Sequence, residues 1–150
     1  MNKRLDLISE MLDLTNEITW LNKPKLEQAL QGYSLNEIEL IEKIAKIPHP
    51  NVTKLANASY MTRGAISKQT KKMLSKGLIE SYQKPENKKE RYFRLTAKGQ
   101  RLNQVHQELH DEFLEENASV FHQITDEEFN TIFRFIGHFR ENLKRKKMDR

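Results

Sequence analysis

Cysteine is absent from the 150 residues. That excludes disulfides, thiol-based redox sensing and any zinc site built on thiolates. Glycine is scarce, five in all. So few leave no room for a Walker loop or a glycine-rich nucleotide turn, and no nucleophile elbow is present. No stretch approaches the ~20 apolar residues that a membrane span needs. Near the start, Arg4, Asp6, Glu10 and Asp13 interrupt every apolar run. No secretory leader is therefore expected, and the chain reads as soluble and cytoplasmic. Repeats are missing, and the one biased tract is Lys144-Arg145-Lys146-Lys147. An enzyme is not expected. One domain, or one domain with a dimerisation extension, suits the length.

What is present is an uneven charge. The net charge is +5, but residues 51–101 hold 13 Lys/Arg against 3 Asp/Glu, while the flanks hold 13 against 18. Basicity concentrated in one third of an otherwise acidic chain argues for a polyanionic partner met by a single surface.

Hydrophobic periodicity divides the chain into helices with one interruption. Leu5, Ile8, Met11, Leu12, Thr15, Ile18 and Leu21 hold a near-heptad seam that predicts a helix over 5–21, with Pro24 expected to break or redirect it. Ser34 and Glu37 form a capping box for a second helix, with Tyr33 and Ile38 placed as a hydrophobic staple and Leu35, Ile38, Ile41 and Ala45 as the buried stripe. Pro48-His49-Pro50 ends it. Asn51 caps a short helix over 52–58, and Thr62 caps another that runs to Lys76. On this last helix Ile66, Thr70, Met73 and Leu74 face one way, and Arg63, Ser67, Lys68, Lys71 and Lys72 face the other, with no acid among them. Alone, such a stretch serves equally as a solvated surface helix. Preceded by a short helix and a three-residue connection, it becomes the second half of a helix-turn-helix whose basic front fits the major groove.

After Gly77 the period changes to about two. Residues 78–83 and 90–95 read as paired strands around a polar loop over 84–89, with Arg91, Phe93 and Leu95 on one face and Tyr92 and Arg94 on the other. A basic-tipped hairpin directly behind a recognition helix is a wing. Thr96 then caps a long helix to about residue 117, residues 118–124 form a junction, and Thr125 with Glu128 opens a final helix carrying Phe129, Ile132, Phe133, Ile136, Phe139 and Leu143 on one face.

Two landmarks bracket the hairpin: Leu74-Ser75-Lys76-Gly77-Leu78-Ile79 and Leu95-Thr96-Ala97-Lys98-Gly99. With the order of elements, they make the chain resemble the MarR family of winged helix-turn-helix transcriptional regulators. The resemblance implies a mainly α fold with a small β-hairpin wing, a single MarR-like domain over 1–150 in which 34–96 form the DNA-binding lobe, and a helical dimerisation region from both chain ends, 1–30 and 97–147. It also implies a homodimer. The apolar residues Ile8, Met11, Leu12, Phe129, Phe133, Ile136 and Phe139 support that independently, because a winged core of this size cannot cover them.

On this reading the chain is a sequence-specific double-stranded DNA-binding regulator, a repressor released by an effector, acting on a pseudo-palindromic operator. By motif match, Thr62, Arg63, Ser67 and Lys68 are expected to read bases; from their charge, Lys71, Lys72, Lys88, Lys89 and Arg91 are expected to meet phosphates. The wing departs from the family's Asp-x-Arg tip, whose places are taken here by Asn87 and Lys89. Lysine is a strongly hydrated point charge and a weaker minor-groove inserter than arginine. No cofactor is required; the effector is a small molecule or zinc. His106 and His110 stand at i and i+4, a spacing that suits zinc and resembles His pairs of zinc-sensing family members. The glutamate of a zinc-protease H-E-x-x-H is replaced here by Gln107. The alternative outside this class is a winged helix that docks protein rather than DNA, which would call for acidic or apolar residues on the recognition face.

Overall fold

The structure, a computed structural model, describes residues 2–148, the last two by backbone alone. Met1, Asp149 and Arg150, which the 1–150 expectation takes in, lie outside the described residues, as does the Lys147 side chain of the basic tract. The chain divides into two compact units, Met1–His110 and Asp111–Arg150. No helix among the described residues is long and apolar enough to cross a membrane.

The first unit begins with α1 (Lys3–Ala29), capped by the Asn2 side chain, which accepts from the Arg4 and Leu5 amides. Pro24 lies inside this helix and does not end it, contrary to the expected break. Proline deletes one amide donor and crowds the carbonyl one turn back. Here that turn is solvent-exposed around Trp20 and Leu21, so water can take the freed carbonyl. None of α1 is fully buried. Leu26, and Leu30 just beyond the helix, attach its end to the core. The chain then turns at Gly32 (φ 88°).

The core is built from α2 (Leu35–Lys46), α3 (Val52–Ala58), α4 (Arg63–Ser75), a hairpin of β1 (Ile79–Lys84) and β2 (Asn87–Leu95), and the first half of α5 (Ala97–Glu116). Its centre is Leu40, Ile41, Leu55, Ile66, Met73 and Leu78, all essentially inaccessible. Each such side chain contributes roughly 1.5–3 kcal/mol of burial. On α2 the buried stripe is Glu37, Ile38, Leu40, Ile41 and Ile44, whereas Leu35 and Ala45, assigned to it from periodicity, are exposed. The face rotated because Glu37 itself is buried.

The hairpin pairs Ile79 with Leu95, Glu80 with Arg94, Ser81 with Phe93 and Tyr82 with Tyr92, then passes an irregularity to pair Lys84 with Asn87. The polar loop expected over 84–89 is therefore only a short turn at Pro85-Glu86, and Lys88 and Lys89 stand on β2. Backbone pairing outlasted the apolar alternation that marks strands in a sequence. A third segment borders the hairpin, with the Phe93 amide donating to the Pro50 carbonyl at 2.9 Å. Beside it His49 sits at φ 48° between two prolines. It shares a 3.0 Å hydrogen bond with the Tyr82 hydroxyl and presents its ring edge-on to Tyr82 and Tyr92.

The second unit comprises the end of α5, a short α6 (Ala118–His122) inside what read as a junction, and α7 (Asp126–Met148). The capping box closes in both directions: the Thr125 amide donates to Glu128 Oε1 at 3.0 Å and the Glu128 amide to Thr125 Oγ1 at 3.1 Å. Within this unit Ile132, Phe133, Ile136, Phe139 and Leu143 stay exposed.

Where α5 crosses the exit of α4, no side chain fits. A Cβ on Gly99 would lie 2.1 Å from the Leu78 carbonyl oxygen, a backbone atom that cannot swing aside. Gly99→Ala is expected to lower unfolding free energy by about 1–3 kcal/mol, read as a reduced urea midpoint with an unchanged slope. An unchanged midpoint would show that the crossing is looser than this.

Candidate nucleic-acid interface

The helix α4 is defined at both ends by side-chain and backbone chemistry. At its start Thr62 Oγ1 accepts from the Ala65 amide at 3.1 Å. At its end Gly77 takes φ 72°, the Gly77 amide donates to the Leu74 carbonyl at 3.1 Å and the Leu78 amide to the Met73 carbonyl at 3.0 Å. These two bonds are a Schellman motif, which needs a left-handed residue at Gly77. Its hydrophobic pair is Met73 and Leu78, both fully buried.

Between these ends the helix has two chemically distinct sides. Ile66, Thr70 and Met73 are buried. Thr62, Arg63, Lys68, Lys71 and Lys72 are exposed, and Ser67 is half-buried. No acidic residue lies on the helix. The Thr62 hydroxyl is occupied by its cap, so its free contribution is the adjacent helix N-terminus, where unpaired amides favour an anion. Lys72 leans back toward Glu37, with Nζ at 3.8 Å from Oε1.

The orientation of α4 is set by a pair that reading along the chain did not anticipate. Glu37 is buried to 1% exposure. Both its oxygens accept from Lys76 Nζ at 2.9 Å. The same Lys76 donates to the Gly32 carbonyl at 3.3 Å and sits over the Tyr33 ring. Glu37 also completes the box with Ser34, whose Oγ accepts from the Glu37 amide at 3.2 Å. Burial pushes the Glu37 carboxyl up, but the hydrogen bond and charge of Lys76 and the bonds from Ser34 together hold it below its ordinary 4.5. One residue thus ties the start of α2 to the end of α4. The only linear signal was a Lys two residues ahead of Leu78, inside the landmark itself.

The wing is fixed to the helix-turn-helix at its base. Asn51 Oδ1 caps α3 at the Lys54 amide, 2.8 Å away, while its Nδ2 donates to Glu90 Oε1 at 2.9 Å. Thr96 Oγ1 donates to the Gly77 carbonyl at 2.6 Å and accepts from the Gly99 amide at 3.2 Å. The two landmarks are therefore one hydrogen-bonded junction. Toward the tip Lys88, Lys89 and Arg91 are exposed. Asn87 Oδ1 accepts from the Lys89 and Glu90 amides, each at 3.3 Å. It organises the turn's own backbone.

A second cluster lies between α2 and α5. Glu42, His106 and His110 each offer a ligand atom within 4.8 Å of the others, the one group of three such residues found among the described residues. The two rings lie 4.4 Å apart. The buried Nδ1 of His106 has no hydrogen-bond partner and lies 3.9 Å from Glu42 Oε2. Burial, and then the neighbouring His110, lower the His106 pKa from its ordinary value of 6.5. Of this set, the sequence had marked the two histidines. Glu42 joins them only through the packing of α2 against α5.

Known proteins place this geometry. The MarR family model matches residues 33–90, which cover the helix-turn-helix and most of the wing. The HTH-type transcriptional regulator PchR of Bacillus subtilis (strain 168) is 26% identical over 163 residues, covering 96% of this chain and 94% of PchR. Among solved structures, Streptococcus pneumoniae FabT in complex with DNA superposes with a TM-score of 0.77 at 17% identity, over 95% of this chain and 98% of FabT. A MarR/EmrR family regulator from Acinetobacter sp. ADP1 gives 0.72 at 20% identity, over 97% and 99%. These likenesses show the fold, a mostly helical chain with a two-stranded wing.

The Glu37–Lys76 pair has a defined pH signature. A carboxyl whose folded pKa lies below its unfolded one stabilises above the unfolded value and loses that contribution as pH falls through the folded value. The difference in unfolding free energy between the native chain and Glu37→Gln is expected to be about 3 kcal/mol or less at pH 7, because Lys76 retains access to water. It should shrink progressively below about 4.5, the ordinary Glu value. A difference that stays constant from pH 7 to pH 3, measured by urea unfolding, would show that the charge on Glu37 does not matter.

Proposed function

We propose that this chain, which belongs to the MarR family, is an effector-responsive repressor that binds a pseudo-palindromic operator as a homodimer in the cytoplasm. It is a transcriptional regulator with a DNA-binding winged helix, and not an enzyme. The observation that carries the finer reading is the front of α4, where Arg63, Lys68, Lys71 and Lys72 are exposed and no acid interrupts them. A protein-docking winged helix has no use for such a face. Arg63 and Lys68 have the donors to read guanine edges, and Ser67 can pair with any base. Lys71, Lys72, Lys88, Lys89 and Arg91 supply phosphate contacts that set register. The wing, with Lys89 in place of arginine, adds phosphate attraction rather than minor-groove readout.

The dimer is supported by what each unit leaves uncovered. Met11 and Leu12 of α1 are exposed and Ile8 is half-buried; on α7 Phe133, Ile136 and Phe139 are exposed and Phe129 is half-buried. Apolar stripes of this length on a soluble regulator are covered by a second copy. In such a dimer the two α4 helices read half-sites about 34–36 Å apart.

One observation favours a particular effector. The Glu42–His106–His110 group has the donor set of a divalent d-block cation, zinc foremost, with three protein ligands and an open position. The unpartnered Nδ1 of His106 is a buried polar atom that such an ion would satisfy. When bound, zinc supplies a cross-link between α2 and α5, drawing on the residues already gathered there.

Fluorescence anisotropy against the chain's own upstream DNA is expected to show sequence preference and a steep loss of affinity with salt. Lys68→Ala should relax base preference, whereas Lys71→Ala should weaken all sequences alike and reduce the salt slope by about one. Binding without sequence preference would overturn the reading. Sedimentation should give a dimer that Phe133→Glu dissociates. Micromolar zinc should raise the melting temperature and change operator affinity in the native chain but not in His110→Ala; no response in the native chain removes zinc as the effector.

A further inference from the structure

The carboxylate of Glu42 already has a cation. Its Oε1 accepts from Lys46 Nζ at 2.7 Å, while its Oε2 faces His106 Nδ1 at 3.9 Å. Lys46 lies one turn on along α2, and its side chain is 68% exposed, against 24% for Glu42. One carboxylate is thus shared between a lysine on one side and, on the other, two imidazoles, the buried His106 and the exposed His110.

We infer that Lys46 is an intramolecular competitor that sets the affinity of the Glu42–His106–His110 group for a divalent d-block cation, a proposal that rests on the metal reading given above. A cation entering the group needs the negative charge of Glu42, and with Lys46 in place that charge is already compensated. The ion must displace Lys46 or bind beside it and meet its repulsion; either route weakens binding. Lys46 is exposed and flexible, so leaving its carboxylate costs little beyond the ion pair, and displacement is reversible. In the absence of metal the lysine holds Oε1 of Glu42, which leaves Oε2 facing His106. The same residue therefore keeps the site ready and raises the concentration at which it fills. An ordinary i,i+4 helix pair does the first of these by chance; the second follows only from where the other carboxylate oxygen points.

The test is zinc affinity, measured by competition with a chromophoric chelator, for the intact native chain, Lys46→Met and Lys46→Arg. Lys46→Met keeps the aliphatic stem and removes the charge; it is expected to bind zinc about 3- to 10-fold more tightly than the native chain at low salt. Lys46→Arg should stay within twofold of native. Because the competitor is exposed, the advantage of Lys46→Met should shrink as ionic strength rises toward 1 M. Equal affinity of the native chain and Lys46→Met, with both binding, overturns the role of Lys46 and leaves the metal site standing. Absence of zinc binding in both, with unchanged melting temperatures, overturns the metal reading and this inference together.

Discussion

The pair formed by the buried Glu37 and the half-buried Lys76 is the constraint on which the rest of the lobe depends. A carboxylate held at 1% exposure is costly unless its partner is close and its remaining lone pairs are used. Here both oxygens meet Lys76 Nζ at 2.9 Å, and Ser34 supplies further bonds. Lys76 also serves other elements. Its Nζ donates to the Gly32 carbonyl in the turn before α2, and its own carbonyl accepts from Lys98 Nζ at 3.0 Å on α5. The end of α4 is thereby tied to the chain before it and to the chain after it. Apolar packing tolerates rotation that a hydrogen-bonded ion pair does not, so the pair adds to the packing of α4 a constraint on its orientation.

The same economy recurs wherever the lobe changes direction. Asn51 starts α3 with one side-chain atom and holds Glu90 of the wing with another. Thr96 starts α5 by accepting from Gly99 and closes the wing by donating to Gly77. Each is a cap that is also a cross-link. This gives the two landmark motifs a physical reason. Gly77 supplies the left-handed turn, Thr96 bonds its carbonyl, and Gly99 lets α5 pass against the Leu78 carbonyl. Three small residues, one in the first landmark and two in the second, specify one junction.

Helix boundaries were legible because capping is local chemistry. Ser34, Asn51, Thr62 and Thr125 each make the side-chain bond that their position implied. The hairpin was legible from the change of period after Gly77. Three features were not. Pro24 reads as a break, yet an exposed helix carries it, since solvent satisfies what the ring leaves free. The polar character of residues 87–89 hid the extension of β2, because backbone pairing is blind to side-chain polarity on a solvated edge. The buried stripe of α2 was misplaced by one residue type: a glutamate inside the core contradicts hydrophobic periodicity, and only its partner on α4 explains it. The basic residues of α4 were legible as an exposed face free of acids.

The placement of Glu37 and Glu42 on one helix links the end of α4 to the Glu42–His106–His110 group. They are five residues apart on α2, a separation of about 7.5 Å along the axis. Glu37 grips the end of the recognition helix, and Glu42 faces the histidines of α5. The residues between them, Ile38, Leu40 and Ile41, are packed into the core, so this stretch of α2 moves as a body or not at all. Any ligand that draws Glu42 toward α5 therefore acts on the element that fixes the angle of α4. The coupling needs no long pathway, since the lever is a turn and a half of helix with a hydrogen-bonded ion pair at one end. It also gives direction to the energetics. Under the proposed reading, an effector at Glu42 would shift DNA binding only by as much as it prefers one placement of α2, and the bonds of Glu37 to Lys76 would carry that preference to the end of α4.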